Sequence, residues 1–281
     1  MNALLQPFQF EFFRNGTLAA IMVGGLCGLL GVYIVLRGMS YIGHGLSHAI
    51  FGGAVVAFVM TWNFYIGAGL WGFLAAVLIN QTTRRTKIGA DAAIGVITTA
   101  SFAIGVALIS RYRRFTRSFD AALFGNILGV STQDVLVVAG VTAMVLVIVF
   151  FLYKQLLFTT FDAEVAHIYG VKTEWVDTFF SLILAAALIA SMQILGVTLI
   201  AAALVIPAIS ARLLTDSFHR MTVLSSLIGA LTGFLGMYLS YYVDIASGAT
   251  IVLLQAAVFG LVLTVTSMQK RATKRMVHAH L

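Results

Sequence analysis

The sequence predicts an all-α membrane protein, a polytopic transmembrane bundle of about nine spanning helices. Three observations predict it: the composition, the long apolar runs, and the positions of the basic residues between those runs. Of the 281 residues, 60% are hydrophobic and 10% are charged, and the mean hydropathy is +1.01. Soluble domains carry about 25% charged residues. This chain therefore has too few charges to cover a surface that faces water.

Nine stretches approach the roughly 20 mostly apolar residues that a spanning helix needs. They are 17–36, 42–60, 64–82, 92–110, 133–153, 175–191, 193–213, 220–242 and 248–268. Merging two marginal stretches gives eight helices, so we expect eight to nine. Because the chain contains no low-complexity tract and no Ser/Pro-rich linker, residues 1–281 are expected to form a single transmembrane domain.

Basic residues in the short loops set the expected orientation, because cytoplasmic loops are enriched in Lys and Arg. A cytoplasmic C-terminus and nine crossings place the N-terminus outside, and most basic loops then fall inside. The exception is the Arg111–Arg117 cluster, which falls outside. It either contacts lipid phosphate or a partner protein at the outer face, or the helix count is eight. The net charge of +7 thus reflects a membrane surface and does not indicate nucleic acid.

The second apolar stretch carries two histidines, His44 and His48, at positions i and i+4. Their rings therefore project from one helix face. Imidazole is a common ligand of first-row divalent metals, and an ionisable residue inside a membrane helix is costly enough to suggest a function. Two histidines that only bond to neighbouring helices are the alternative, but the pairing favours a cation path. Haem is disfavoured, since rings at i and i+4 cannot take opposite axial positions on one iron.

Two polar stretches are too short to span. Residues 119–133 are amphipathic and predict a helix lying at the outer surface or dipping into the membrane. Residues 158–175 predict a short cytoplasmic helix that Asp162 opens, with Glu164 in its first turn and Gly170 at its end. Such a helix could dock a partner or be a solvated loop helix, and its spacing leaves both open.

Other features limit the chemistry of the chain. Pro207 lies inside an apolar run, where proline removes a backbone hydrogen bond; it predicts either a static bend or the hinge of a gating helix. The sequence shows no paired carboxylates within a span, no activated serine and no Gly-rich phosphate loop. We therefore expect no enzyme activity and no permanently bound cofactor, with any ATP bound by another chain. Cys27 is expected to be an inert core residue.

Four segments resemble the membrane permeases of ATP-binding-cassette importers for manganese, zinc or iron(II), which are relatives of siderophore and cobalamin permeases. They are 25–53, 123–134, 161–171 and 196–214, in the family's order along most of the chain. The resemblance implies a cobalamin-importer-like bundle in the prokaryotic plasma membrane. It also implies a homodimer that pairs with an ATPase subunit and with an extracytoplasmic metal-binding protein.

The resemblance also assigns roles to residues. Segment 161–171, with Asp162, Glu164 and Gly170, looks like the coupling helix that docks into the ATPase, and 119–132 looks like the family's outer surface helix. His48 matches a family histidine, whereas His44 stands where family members usually have Asp. The expected transported ion is manganese, and this exchange of carboxylate for imidazole leaves zinc and iron(II) open, since oxygen ligands suit manganese better. The alternative class is a secondary transporter driven by an ion gradient.

Overall fold

In the computed structural model, the described residues are 3–85, 89–112, 123, 125 and 129–279, and within these ranges every regular element is a helix. A short 3-10 helix, Ala3–Gln9, comes first. The α-helices are α1 (Glu11–Leu36), α2 (Ser40–Val59), α3 (Phe64–Arg85), α4 (Ala90–Tyr112), α5 (Thr132–Phe151), α6 (Tyr153–Phe161), α7 (Ala163–Ile168), α8 (Thr173–Leu195), α9 (Ile200–Leu214), α10 (Phe218–Val243) and α11 (Ser247–Ala279).

Eight helices in the described part of the chain are long and apolar enough to cross a membrane, which confirms the predicted fold class. They are α1 to α5, α8, α10 and α11. Helix α9 has 15 residues, which gives about 22 Å of helix at ~1.5 Å per residue. That is shorter than the ~30 Å hydrocarbon core.

The stretch predicted as one span at 193–213 is divided between two helices. Helix α8 continues to Leu195, and Gly196 ends it with φ +76°, a conformation that favours glycine. Helix α9 then begins at Ile200. The apolar run is continuous across this point, so hydropathy alone did not reveal the break.

Three helices form the centre of the bundle. The most apolar 18-residue window is 72% buried in each of α1, α2 and α8, but 17% buried in α5 and 22% in α11. Helix α1 packs closely along α10, where a side chain on Gly24 would collide with the backbone of Gly229 and the Ser225 hydroxyl donates to the Gly28 carbonyl over 2.6 Å. Small residues permit such close approach of helices in lipid.

The helix ends divide into two faces. Arg37 at the end of α1 contacts α6 and the start of α8, so these ends share one face. At the opposite end of the bundle, Ser131 and Asp134 form a capping box at the start of α5. The predicted outer helix at 119–132 and three arginines of the Arg111–Arg117 cluster lie mostly outside the described residues.

Candidate metal path and coupling segment

The two histidines lie side by side on α2. Their ring centroids are 4.5 Å apart and the rings meet edge to face at 83°. Both side chains are half-buried, and both lie in the first half of α2, between its first residue, Ser40, and its midpoint. The structure thus brings together the pair that the i, i+4 spacing predicted.

Aromatic side chains flank the pair on both sides. Tyr41 lies 5.6 Å from the His44 ring and Phe102 of α4 lies 4.9 Å from the His48 ring, centroid to centroid. Nδ1 of His48 is buried and has no hydrogen-bond partner among the described residues. Because an unpaired buried nitrogen is costly, a partner for this atom would stabilise this turn of the helix.

The segment 44–48 of α2, called here the histidine turn, is held in position by glycines that let α2 approach α4. A side chain at Gly52 would collide with the Ser101 carbonyl, and one at Gly45 would collide with Ile94. The two helices therefore pack closely on either side of His48, against backbone at Gly52 and against the Ile94 side chain at Gly45. This close packing holds the His48 ring against Phe102.

The histidine turn also contacts the break between α8 and α9. The buried hydroxyl of Ser47 lies 2.8 Å from the His44 carbonyl and 3.2 Å from the Val197 carbonyl, so its single proton can bond to either. Two described residues of the segment between α4 and α5 contact the same break. The Thr198 hydroxyl donates to the Leu123 carbonyl over 2.8 Å, and Gly125 packs directly against the Ile194 carbonyl.

Pro207 is buried inside α9, and the helix continues through it to Leu214. Helix α9 packs on α1, where a side chain at Gly31 would collide with the Leu204 carbonyl. The chain leaves helical geometry at Gly196, before α9 begins. The gating role of Pro207 therefore stays a prediction.

The predicted short helix at 161–171 is present as α7, and its caps are the predicted residues. Asp162 adopts an extended conformation, and its side chain accepts a 2.9 Å hydrogen bond from the Val165 amide. At the other end, Gly170 has φ +82°. The amides of Gly170 and Val171 donate to the carbonyls of His167 and Ala166, which is the Schellman arrangement.

Helix α7 is buried at one residue and exposed at most of the others. Ala166 is fully buried, whereas Glu164 and His167 are exposed. Next to them Ile168 and Tyr169 are 80% and 77% exposed. Exposed apolar side chains beside an acid at the end of a membrane bundle form a surface suited to a protein partner.

Sequence reasoning missed a buried cluster around Arg37, whose side chain is 7% exposed. Its Nη1 bonds to Asp177 Oδ1 over 2.9 Å, its Nε to Thr160 over 3.0 Å, and its Nη2 to Thr159 over 2.9 Å. The guanidinium also lies 4.6 Å above the Phe180 ring centroid. Burial lowers the pKa of Arg37 from its usual value, and the Asp177 carboxylate opposes that effect.

A cavity of about 430 Å³ is lined by residues near both α7 and the histidine turn. Its lining includes Arg37 and Asp177, Ala163 of α7, Ile42 of α2 and Ile94 of α4. Ile94 is the residue against which Gly45 packs. The cavity therefore adjoins both the candidate coupling segment and the helix of the candidate metal path.

Known proteins resemble this chain along most of its length. The model of the family described as the ABC 3 transport family matches residues 9–266. The manganese transport system membrane protein MntC of Halalkalibacterium halodurans is 35% identical over 256 residues, which cover 91% of this chain and 88% of that protein. A probable iron transport system membrane protein of Haemophilus influenzae is 34% identical over 259 residues, 92% of each chain.

A solved structure shares the architecture. The structure described as PsaBC from Streptococcus pneumoniae in complex with Fab has a TM-score of 0.84 and 35% sequence identity. The match covers 92% of this chain and 94% of that one.

Proposed function

The chain belongs to the ABC 3 transport family, and on that premise we propose that it imports manganese along a path lined by His44 and His48. It is a multi-pass permease subunit of a prokaryotic plasma membrane and not itself an enzyme. The proposal assigns ATP hydrolysis to a separate ATPase subunit and delivery of the ion to an extracytoplasmic binding protein.

The observation that carries the metal path is the geometry of the histidine pair. Two rings 4.5 Å apart, one with a buried nitrogen that has no hydrogen-bond partner in the described part of the chain, could form half of a ligand set. The described residues contain no group of three or more His, Cys, Asp or Glu side chains that could hold a metal ion. Transition metals take about four to six ligands, so the remaining ligands must be water or another chain.

A second copy of the chain is the proposed source of those ligands. Two copies that meet at the histidine faces would supply four imidazoles, and water could complete the set. An incomplete site in each copy suits transport, since a closed set of ligands would trap the ion. We therefore propose a homodimer in which the ion passes between the two histidine pairs.

Manganese is the proposed ion because relatives that match most of the chain carry that name. Imidazole nitrogen at His44 also suits iron(II) and zinc, and a probable iron transport protein is among the relatives. Permease relatives of this kind do not favour the gradient-driven alternative.

Segment 161–171 is the proposed docking site for the ATPase. Its support is the capped helix α7 with exposed Glu164, Ile168 and Tyr169 on the face that also carries Arg37, Lys154 and Lys172. The basic residues identify this face as cytoplasmic by the positive-inside rule. A rigid, capped helix can carry movement of the ATPase into the bundle.

Reconstitution tests this function. The purified permease is placed in vesicles with its candidate ATPase and binding protein, and uptake of manganese, zinc and iron(II) is measured beside ATP hydrolysis. We expect manganese uptake that requires ATP and all three proteins. Uptake by the permease alone under an ion gradient would reject the proposal in favour of a secondary transporter.

A further inference from the structure

We propose that Arg37 is the positioning residue that transmits movement of α7 to the histidine turn of α2, an inference that rests on the proposed function. Arg37 follows α1 directly before the metal-path helix α2, and its side chain bonds to α6, which precedes the docking helix, and to α8. Its three bonds to Thr159, Thr160 and Asp177 carry the inference.

The position of Arg37 along the chain places it at the base of the metal-path helix. It caps α1, and α2 begins three residues later at Ser40. The turn between them contains Gly38 at φ +67°. His44 follows in the second turn of α2, so a shift of the Arg37 backbone displaces the helix on which both histidines lie.

The threonines that contact Arg37 are oriented as acceptors. The Thr160 hydroxyl donates to the Leu156 carbonyl over 2.6 Å, and the Thr159 hydroxyl donates to carbonyls of its own helix. Their lone pairs are therefore left for the guanidinium. Thr160 is the second-last residue of α6, two positions before Asp162, the cap of α7, so the bond joins Arg37 to the start of the docking helix.

Asp177 provides a second connection, through α8. It lies in the second turn of α8 and holds Nη1 of Arg37. The far end of α8 is the break at Gly196, where the Val197 carbonyl meets Ser47 beside His44. The Arg37 cluster thus reaches the histidine turn directly through α2 and indirectly through α8.

The cavity beside the cluster gives these elements room to move. Ala163 of α7, Ile42 of α2 and Ile94 of α4 all line it. Packed protein interiors resist displacement, so an open volume between two linked elements permits a relative shift. The rigid connection around Arg37 then determines which elements move together.

Arg37→Lys tests the inference because it keeps the positive charge but cannot make the three hydrogen bonds of the guanidinium in the same geometry. A lysine ammonium is a compact point charge that cannot match the rigid guanidinium fork. In the reconstituted three-part system, we expect ATP hydrolysis to continue while manganese uptake per ATP falls at least about fivefold, the lower end of typical coupling between sites. Arg212→Lys, at an exposed arginine near the end of α9, is the matched control and should leave the ratio unchanged.

Thr160→Val is the second variant, for the case in which Arg37→Lys does not fold. It keeps the ion pair and the side-chain shape and removes one acceptor, and we expect a smaller fall in the same ratio. Thr264→Val is its control, since Thr264 also donates to carbonyls of its own helix but lies on the exposed surface of α11.

The ratio of ions to ATP separates transmission from stability. The ratio counts only the ATP hydrolysis that the permease stimulates above that of the ATPase subunit alone, so loss of folded permease lowers uptake and the counted hydrolysis together and leaves the ratio at the wild-type value. A wild-type ratio in both Arg37→Lys and Thr160→Val would overturn the inference. Absence of partner-dependent uptake in the wild type would instead overturn the proposed function.

Discussion

The histidine turn and the Arg37 cluster use buried polar groups in opposite ways. At the histidine turn, Nδ1 of His48 is buried and has no hydrogen-bond partner among the residues that the structure describes. In the Arg37 cluster, all three guanidinium nitrogens are hydrogen-bonded, to Thr159, Thr160 and Asp177. An incomplete set of ligands lets an ion enter and leave, whereas a complete set of bonds moves helices as one unit. The difference suggests that passage of the ion and transmission of movement occur in separate regions.

The largest effect is expected from Glu164→Lys in the docking helix, which should disturb contact with the ATPase and not the path of the ion. Charge reversal replaces the acid of the proposed interface with a cation, and a mismatched charge in an interface costs several kcal/mol; the cation also opposes the positive end of α7. We expect ATPase binding to weaken more than roughly tenfold, measured by co-purification and by stimulated ATP hydrolysis.

The matched control for Glu164→Lys is Asp216→Lys, at an exposed acid in the loop between α9 and α10 on the same face. It should bind the ATPase normally. Equal weakening by both variants would mean that overall charge, and not α7, governs assembly.

A substitution at the histidine turn should change ion choice and leave ATPase binding intact. His44→Asp introduces a carboxylate oxygen, which suits manganese better than imidazole does. We expect the preference for manganese over zinc to rise about tenfold, which is ~1.4 kcal/mol of relative binding, in competitive uptake. His44→Asn keeps the shape of Asp without its charge, so it separates the effect of the negative charge from the effect of side-chain shape. An unchanged preference in His44→Asp would exclude this residue from the path.

The smallest expected effect concerns the cap of α7. Asp162→Ala removes the bond to the Val165 amide, and loss of such a cap costs ~1 kcal/mol. We expect ATPase affinity to fall about fivefold, in line with that energy. Ser131→Ala removes the equivalent cap of α5 at the opposite end of the bundle and should leave ATPase affinity unchanged. Equal losses in the two variants would indicate a general loss of stability.

Local patterns predicted the parts of the site that lie within one segment. The i, i+4 spacing placed His44 beside His48, and the residue types at Asp162 and Gly170 predicted both ends of α7. These features depend on helix geometry and on backbone conformation over a few residues. The sequence around each of them is therefore sufficient.

Long-range contacts could not be predicted in the same way. Arg37 bonds to Thr160 and Asp177, which are 123 and 140 positions away along the chain. In the sequence Arg37 is one of several loop arginines that satisfy the positive-inside rule, and nothing local distinguishes it. The break at Gly196 was missed for a related reason, since apolar residues continue on both sides and the contacts that hold it come from Ser47 and Leu123.

Manganese uptake by His48→Ala tests the central claim most directly. The variant is reconstituted with both partners, and ATP hydrolysis is measured in the same vesicles. His219→Ala, at an exposed histidine in the first turn of α10, is the matched control. We expect His48→Ala to hydrolyse ATP but to lose at least roughly nine-tenths of its uptake, the tenfold change that ~1.4 kcal/mol produces, while His219→Ala transports normally. Uptake at the wild-type rate in His48→Ala would contradict the assignment of the histidine pair to the metal path.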